Sequence, residues 1–152
     1  MNSERAFATF RIAGDNLRPA QITELLRLRP TLSYAKGEEY ERGPHKRKIV
    51  GRTGMWFFNT DEKLKSNRLE DHVAFLLHVI AAARERPLQL RHLIEQNSLH
   101  AAMTLFWAGP PGTKPPSPSK EVEILKHLIP IEVTTDFADD KEPTASDRQL
   151  AP

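Results

Sequence analysis

The sequence has no cysteine among its 152 residues. That excludes disulfides and thiolate metal sites, and a stapled secreted fold with them. A reducing, cytoplasmic setting fits. Apolar residues are scarce too, at 39%, against the ~45–50% of an ordinary domain, so part of the chain is expected not to fold. Long hydrophobic runs are missing. The longest apolar-rich stretch, Val73 to Ala83, is too short to span a bilayer and contains His78, so no membrane role is expected. Met1 to Arg5 are polar, and no apolar segment with a small-residue cleavage site follows, so no signal peptide is read. Neither sign of charge dominates. The net charge is +2, and the acidic tail after Phe137 leaves the rest mildly basic, short of a dedicated nucleic-acid binder.

Several chemistries lack their residues. No Gly-x-Ser-x-Gly elbow is present. Asp71 and His72 are adjacent, so on a helix they diverge by about 100° and cannot orient each other as triad members do. Gly51 to Gly54 and Gly109 to Gly112 have neither Walker nor dinucleotide spacing. The histidines, His45, His72, His78, His92, His100 and His127, show no ligand pair at helical spacing. No catalytic residue, metal or cofactor is expected.

What the sequence does contain is periodicity. Residues 6–13 alternate as a strand, with Ala6, Ala8, Phe10 and Ile12 on one face and Phe7, Thr9 and Arg11 on the other. Pro19 opens a helix carrying the stripe Ile22, Leu25, Leu26, and Pro30 is expected to stop it. Leu32 to Lys36 suits a short strand, Glu38 to Arg52 an exposed connection, either a loop or a solvated hairpin, and Ile49-Val50 an edge strand. Met55 to Phe58 reads as a strand covered on both faces. Asn67 with Glu70 forms a capping box for a helix to about Glu85, buried through Leu69, Val73, Leu76, Leu77 and Ile80. A shorter helix follows Pro87 to about Gln96. Leu99 to Trp107 is a strand, Ser117-Pro118 opens a helix buried through Val122, Leu125, Leu128 and Ile129, and Ile131 to Phe137 alternates as a last strand. Residues 1–137 then form one α+β domain and 138–152 a disordered acidic tail.

One pattern recurs. A strand, a glycine, a proline-opened helix, a proline and a strand occur over residues 7–36 and again from 101 to 137. Two such halves predict a ferredoxin-like split arrangement: a mostly antiparallel sheet of four or five strands with helices on one face.

The run Phe10-Arg11-Ile12-x-Gly14-x-x-Leu17-x-Pro19-x-x-Ile22-Thr23-x-Leu25-Leu26-x-Leu28-x-Pro30-Thr31, then Lys36-Gly37, Trp56 and a long helix from Leu69, resembles the bacterial domain of unknown function 4279. The close, Leu128-Ile129-x-Ile131-x-Val133 with Asp136-Phe137, is similar to that family's last strand. The resemblance spans residues 6–137. It departs at the charged Glu38–Arg52 insertion and the proline-rich Gly109–Pro118 loop. It implies an intracellular α+β domain and hands over no catalytic residue.

Two binding readings remain. The first is a non-catalytic regulatory or adaptor domain that meets a protein partner through an uncovered sheet face or an edge strand. Arg11 would project from that face or into a cleft, and Lys36, if on a neighbouring strand, would pair with it to hold an anion or partner. The second is nucleic-acid binding through segment 42–52, with Lys46, Arg47, Lys48 and Arg52 on the backbone and Trp56 or Tyr40 as stacking surface. Trp56, Trp107, Phe57 and Phe106 otherwise read as core. Oligomeric state is left open.

Overall fold

The computed structural model of the chain describes residues 4–139. The elements run β1 (Arg5–Gly14), α1 (Pro19–Leu26), β2 (Leu32–Tyr34), β3 (Glu39–Arg42), β4 (Arg47–Val50), β5 (Gly54–Asn59), α2 (Leu69–Ala81), α3 (Arg86–Gln96), β6 (His100–Gly109), α4 (Ser119–Leu128) and β7 (Ile131–Asp139). A 3-10 turn, Thr60–Glu62, follows β5 directly. The result is a mixed α+β fold with a five-stranded, mostly antiparallel sheet and four helices.

Alternation in β1 buries Ala6, Ala8, Phe10 and Ile12, none more than 3% exposed. Across the register, Phe10 faces Phe58 and Met103, and Ile12 faces Trp56 and Ala101. Onto this face the helices lay Ile22 and Leu26, then Val73, Leu76 and Ile80, then Leu90 and Ile94, then Val122 and Leu125, all in one cluster. Each large side chain taken out of water there stabilises the fold by about 1.5–3 kcal/mol.

Helix ends differ from the sequence expectation in instructive ways. Pro19 does open α1, but Pro30 does not close it. Arg27 does, in a left-handed conformation (φ 51°) whose N–H bonds to the Thr23 carbonyl. Asn67 does not cap α2; Arg68 holds that position without a side-chain bond. Ser66 supplies the polar partner instead, accepting from the Arg68 N–H at 3.0 Å and donating to Asp71 Oδ2 at 2.6 Å. The helix ends at Ala81, short of Glu85. Two arginines of α3 finish other helices. Arg86 donates to the Val79 carbonyl in the last turn of α2, and Arg91 donates to the carbonyls of His127 and Leu128 at the end of α4.

The sheet order is β2-β5-β1-β6-β7. β1 pairs antiparallel with both β5 and β6, β2 pairs antiparallel with β5, and β6 and β7 run parallel. So β2 runs parallel to β1 with β5 between them, whereas β7 lies directly beside β6. The two proline-opened segments that echo each other in sequence are therefore not structural equivalents: one straddles a strand and the other does not. β7 continues through Asp139, past the boundary expected at residue 137. The expected disordered tail from residue 140 onward lies outside the described residues. Segment 38–54, open between hairpin and loop in the sequence, is a hairpin, β3 with β4.

Candidate functional site

Side chains alternate across a sheet, so the strand residues that miss the core share the opposite face. The register sets them in rows. Leu32, Phe57, Arg11, Ala102 and Glu132 form one row from β2 to β7. Asn59, Thr9, Thr104 and Thr134 form the next, and Phe7, Phe106 and Asp136 the one after. Among the described residues, every buried apolar residue of a helix belongs to the cluster on the other side, so no helix covers these rows.

The uncovered face is rich in rings. Phe7 and Phe106 stack at 4.5 Å with their planes 14° apart. Arg5 lies 5.2 Å over the Phe7 ring and 3.9 Å from Asp61. Met55, Phe57 and Phe106 are half-buried. This corrects two readings of the sequence. β5 is covered on one face only, and Phe57 and Phe106 lie outside the core that holds Trp56 and Trp107. The burial of β5 alternates strictly, which four large residues in a row had concealed.

Arg11 sits in the middle of this face, exposed, with Phe57 on one side and Ala102 on the other. Among the described residues its side chain makes no hydrogen bond or ion pair. Lys36 is not beside it on a strand. It lies past the end of β2, 3.2 Å from Asp15 Oδ2. The Thr53 hydroxyl first, and Lys36 second, hold the Asp15 carboxyl below its usual range. The carboxylates of the face stand on β7, where Glu132 reaches His100 at 2.9 Å.

The hairpin meets the same face. Tyr40 of β3 stacks on Tyr34 of β2 at 4.0 Å, with planes 1° apart. Burial, and then the hydrogen bond to Tyr40, push the Tyr34 hydroxyl above its ordinary pKa. Register places Arg42 opposite Arg47 and Tyr40 opposite Ile49, so both arginines share the side of the hairpin that carries Tyr40. Lys48 is on the other side, paired across from Glu41. Lys46 is in the tight turn (φ 50°), and Arg52 is exposed in the link to β5. The basic run is thus divided between two surfaces. Trp56 offers no stacking surface: it is fully buried and its indole N–H donates to Thr23 Oγ1 at 3.0 Å.

His72 is buried as well, in a polar contact within the core. Its Nδ1 lies 2.7 Å from Thr60 Oγ1 and its Nε2 lies 2.8 Å from the Ser66 carbonyl. Both ring nitrogens are engaged, so the side chain is structural. Among the described residues, no cluster of three His, Asp or Glu residues is placed to hold a metal ion. Sequence reasoning missed Phe7, Phe57 and Phe106 as surface groups. The available signal was parity: Phe7 shares a face with Arg11, and a face that carries an arginine at its centre is not core.

A family model described as Domain of unknown function (DUF4279) matches residues 4–138. No curated protein and no solved structure matches the chain.

Proposed function

This chain belongs to the DUF4279 family, and from there we propose that it works by binding rather than catalysis, through the uncovered face of its sheet. The observation that carries this reading is the row Leu32–Phe57–Arg11. Half-buried rings and an unpaired arginine, exposed together on a rigid sheet, are the residue types that anchor interfaces. Phe7 with Phe106 and Tyr34 with Tyr40 extend the surface toward its two ends.

The finer architecture supports the same reading. We read β1-α1-β2 and β5-α2-α3-β6 as a ferredoxin-like split core, each pair of parallel strands holding a strand of the other unit between them, with α4 and β7 appended at the edge. In such an arrangement one face takes the helices and the other is left for a partner. The absence of cysteine supports a cytoplasmic setting. No described helix is long and apolar enough to cross a membrane.

Comparative capture from cell extract tests the proposal. The full chain is immobilised beside Arg11→Glu, on the bare face, and Gln89→Glu, exposed on α3. A partner retained by the wild type and by Gln89→Glu, and lost with Arg11→Glu, supports the face as the site. The same partners retained by all three would remove it.

A further inference from the structure

The occupant of the face is legible in its chemistry. Rings run from Phe106 of β6 across β1 and β5 to Tyr34 of β2 with Arg11 among them, while the nearby carboxylates are Glu132 and Asp136 on β7 and Asp61, which Arg5 faces at 3.9 Å. Arg11 and the hairpin pair Arg42 and Arg47 are exposed, and Arg11 lacks an acidic partner among the described residues. The rings are spaced along this track. From Phe7 to the level of Tyr34 the chain of β1 advances six residues, on the order of 20 Å at the rise of a strand. That is the reach of a short run of nucleotides, and nucleic-acid sheets use this combination of flat rings for bases with cations for backbone.

We propose that the uncovered face takes single-stranded nucleic acid, with bases on Phe57 and the Phe7–Phe106 pair and phosphates on Arg11, Arg42 and Arg47. This rests on the binding reading above and names its ligand class. A duplex does not fit, because its bases are already stacked and cannot lie on the rings. Arg5 occupies the outer side of Phe7. It is 69% exposed, so a base entering there displaces it toward the backbone. Lys48, across from Glu41 on the far side of the hairpin, takes no part.

Fluorescence anisotropy of labelled single-stranded RNA and DNA, about ten nucleotides long and of mixed sequence, against a duplex of the same length, tests this with the full chain. Single strands should bind more tightly than the duplex, with affinity falling by about 0.7 log units per contacted phosphate for each log unit of salt. Arg11→Gln should weaken binding and reduce that slope by about one phosphate. Phe57→Leu, which keeps an apolar side chain, should weaken binding about five- to a hundredfold with the slope unchanged. Lys48→Gln should change neither. Thermal melts of each variant confirm that it is folded, and the exposed Arg11→Gln carries the test if Phe57→Leu is not.

No binding of single strands at about 100 µM protein in low salt overturns the proposal, since even non-specific sites bind at that level. Binding that is blind to both face variants, or that favours the duplex, overturns it too. If nucleic acid fails but a captured protein is still lost with Arg11→Glu, the face remains a binding site and its ligand is a protein. If both fail, the binding reading falls with it.

Discussion

Thr60 Oγ1 lies 2.7 Å from His72 Nδ1, where the end of β5 meets the buried side of α2. The same hydroxyl accepts from the Ala8 N–H at 2.9 Å, and its single proton has two acceptors within reach, His72 Nδ1 and the Ala8 carbonyl at 3.1 Å. β5 has already ended at Asn59, so Thr60 stands in for the missing strand residue beside β1. One hydroxyl thereby completes a sheet ladder and partners a buried imidazole.

Thr60→Val keeps the shape and deletes that hydroxyl, leaving the Ala8 N–H and one buried acceptor short of a partner. We expect a loss of about 3 kcal/mol in urea unfolding. Thr60→Ser retains the hydroxyl and should lose about 1 kcal/mol, for one methyl group. Equal stability of Thr60→Val and the wild type would contradict the assigned network.

Trp107 and Phe57 test which face is which. Trp107 is 3% exposed and meets Phe137 edge-on at 6.1 Å, so Trp107→Ala should cost about 3–5 kcal/mol. Phe57, on the bare face, keeps most of its contacts as leucine, and Phe57→Leu should cost about 1 kcal/mol or less. Calorimetric melts in the opposite order would invert the face assignment.

The chain has two tyrosines, and they are the stacked pair. Tyrosinate absorbance therefore reports on this contact alone. Burial chiefly, then Tyr40, raise the Tyr34 pKa above 10.0. A raised folded value means that its contribution is fully present below 10.0 and is lost as pH rises through the folded pKa. The native titration should thus extend to higher pH than that of the unfolded chain. Tyr40→Phe should bring Tyr34 part of the way back, leaving the share due to burial. A native curve superimposable on the denatured one would show that the hairpin does not rest on β2.

The elements themselves were legible because prolines and alternation mark them. Ile22, Leu76 and Leu125 fall on buried helix stripes as their spacing requires. Strand order was not legible, because sequence echo cannot tell whether a parallel pair is adjacent or straddled, and only β5 settles the difference. Caps were misread for a local reason: Asn67 and Pro30 fit the rules for helix ends, yet Ser66 and Arg27 reach the free backbone groups first. Arg11 could be read from the sequence as leaving the core, since its parity opposes that of Phe10 and Ile12. Its ring neighbours could not, because Phe57 and Phe106 are apolar enough to pass for core, and register alone turns them outward. Lys36 was paired with the wrong group because Asp15, nearby at the end of β1, is joined to it only by the fold.

β1 is made before the other strands of its sheet and is central to it. Both of its ladders join it to partners made much later, Arg5 to Ala108 and Thr9 to Asn59. During synthesis β5 can pair with one edge of β1, but the other edge must wait until β6 has emerged, and closing so long a loop is slow. The chain therefore commits to its native shape late and nearly all at once, and a truncation that removes β6 should leave β1 as a sticky ribbon rather than a smaller working domain.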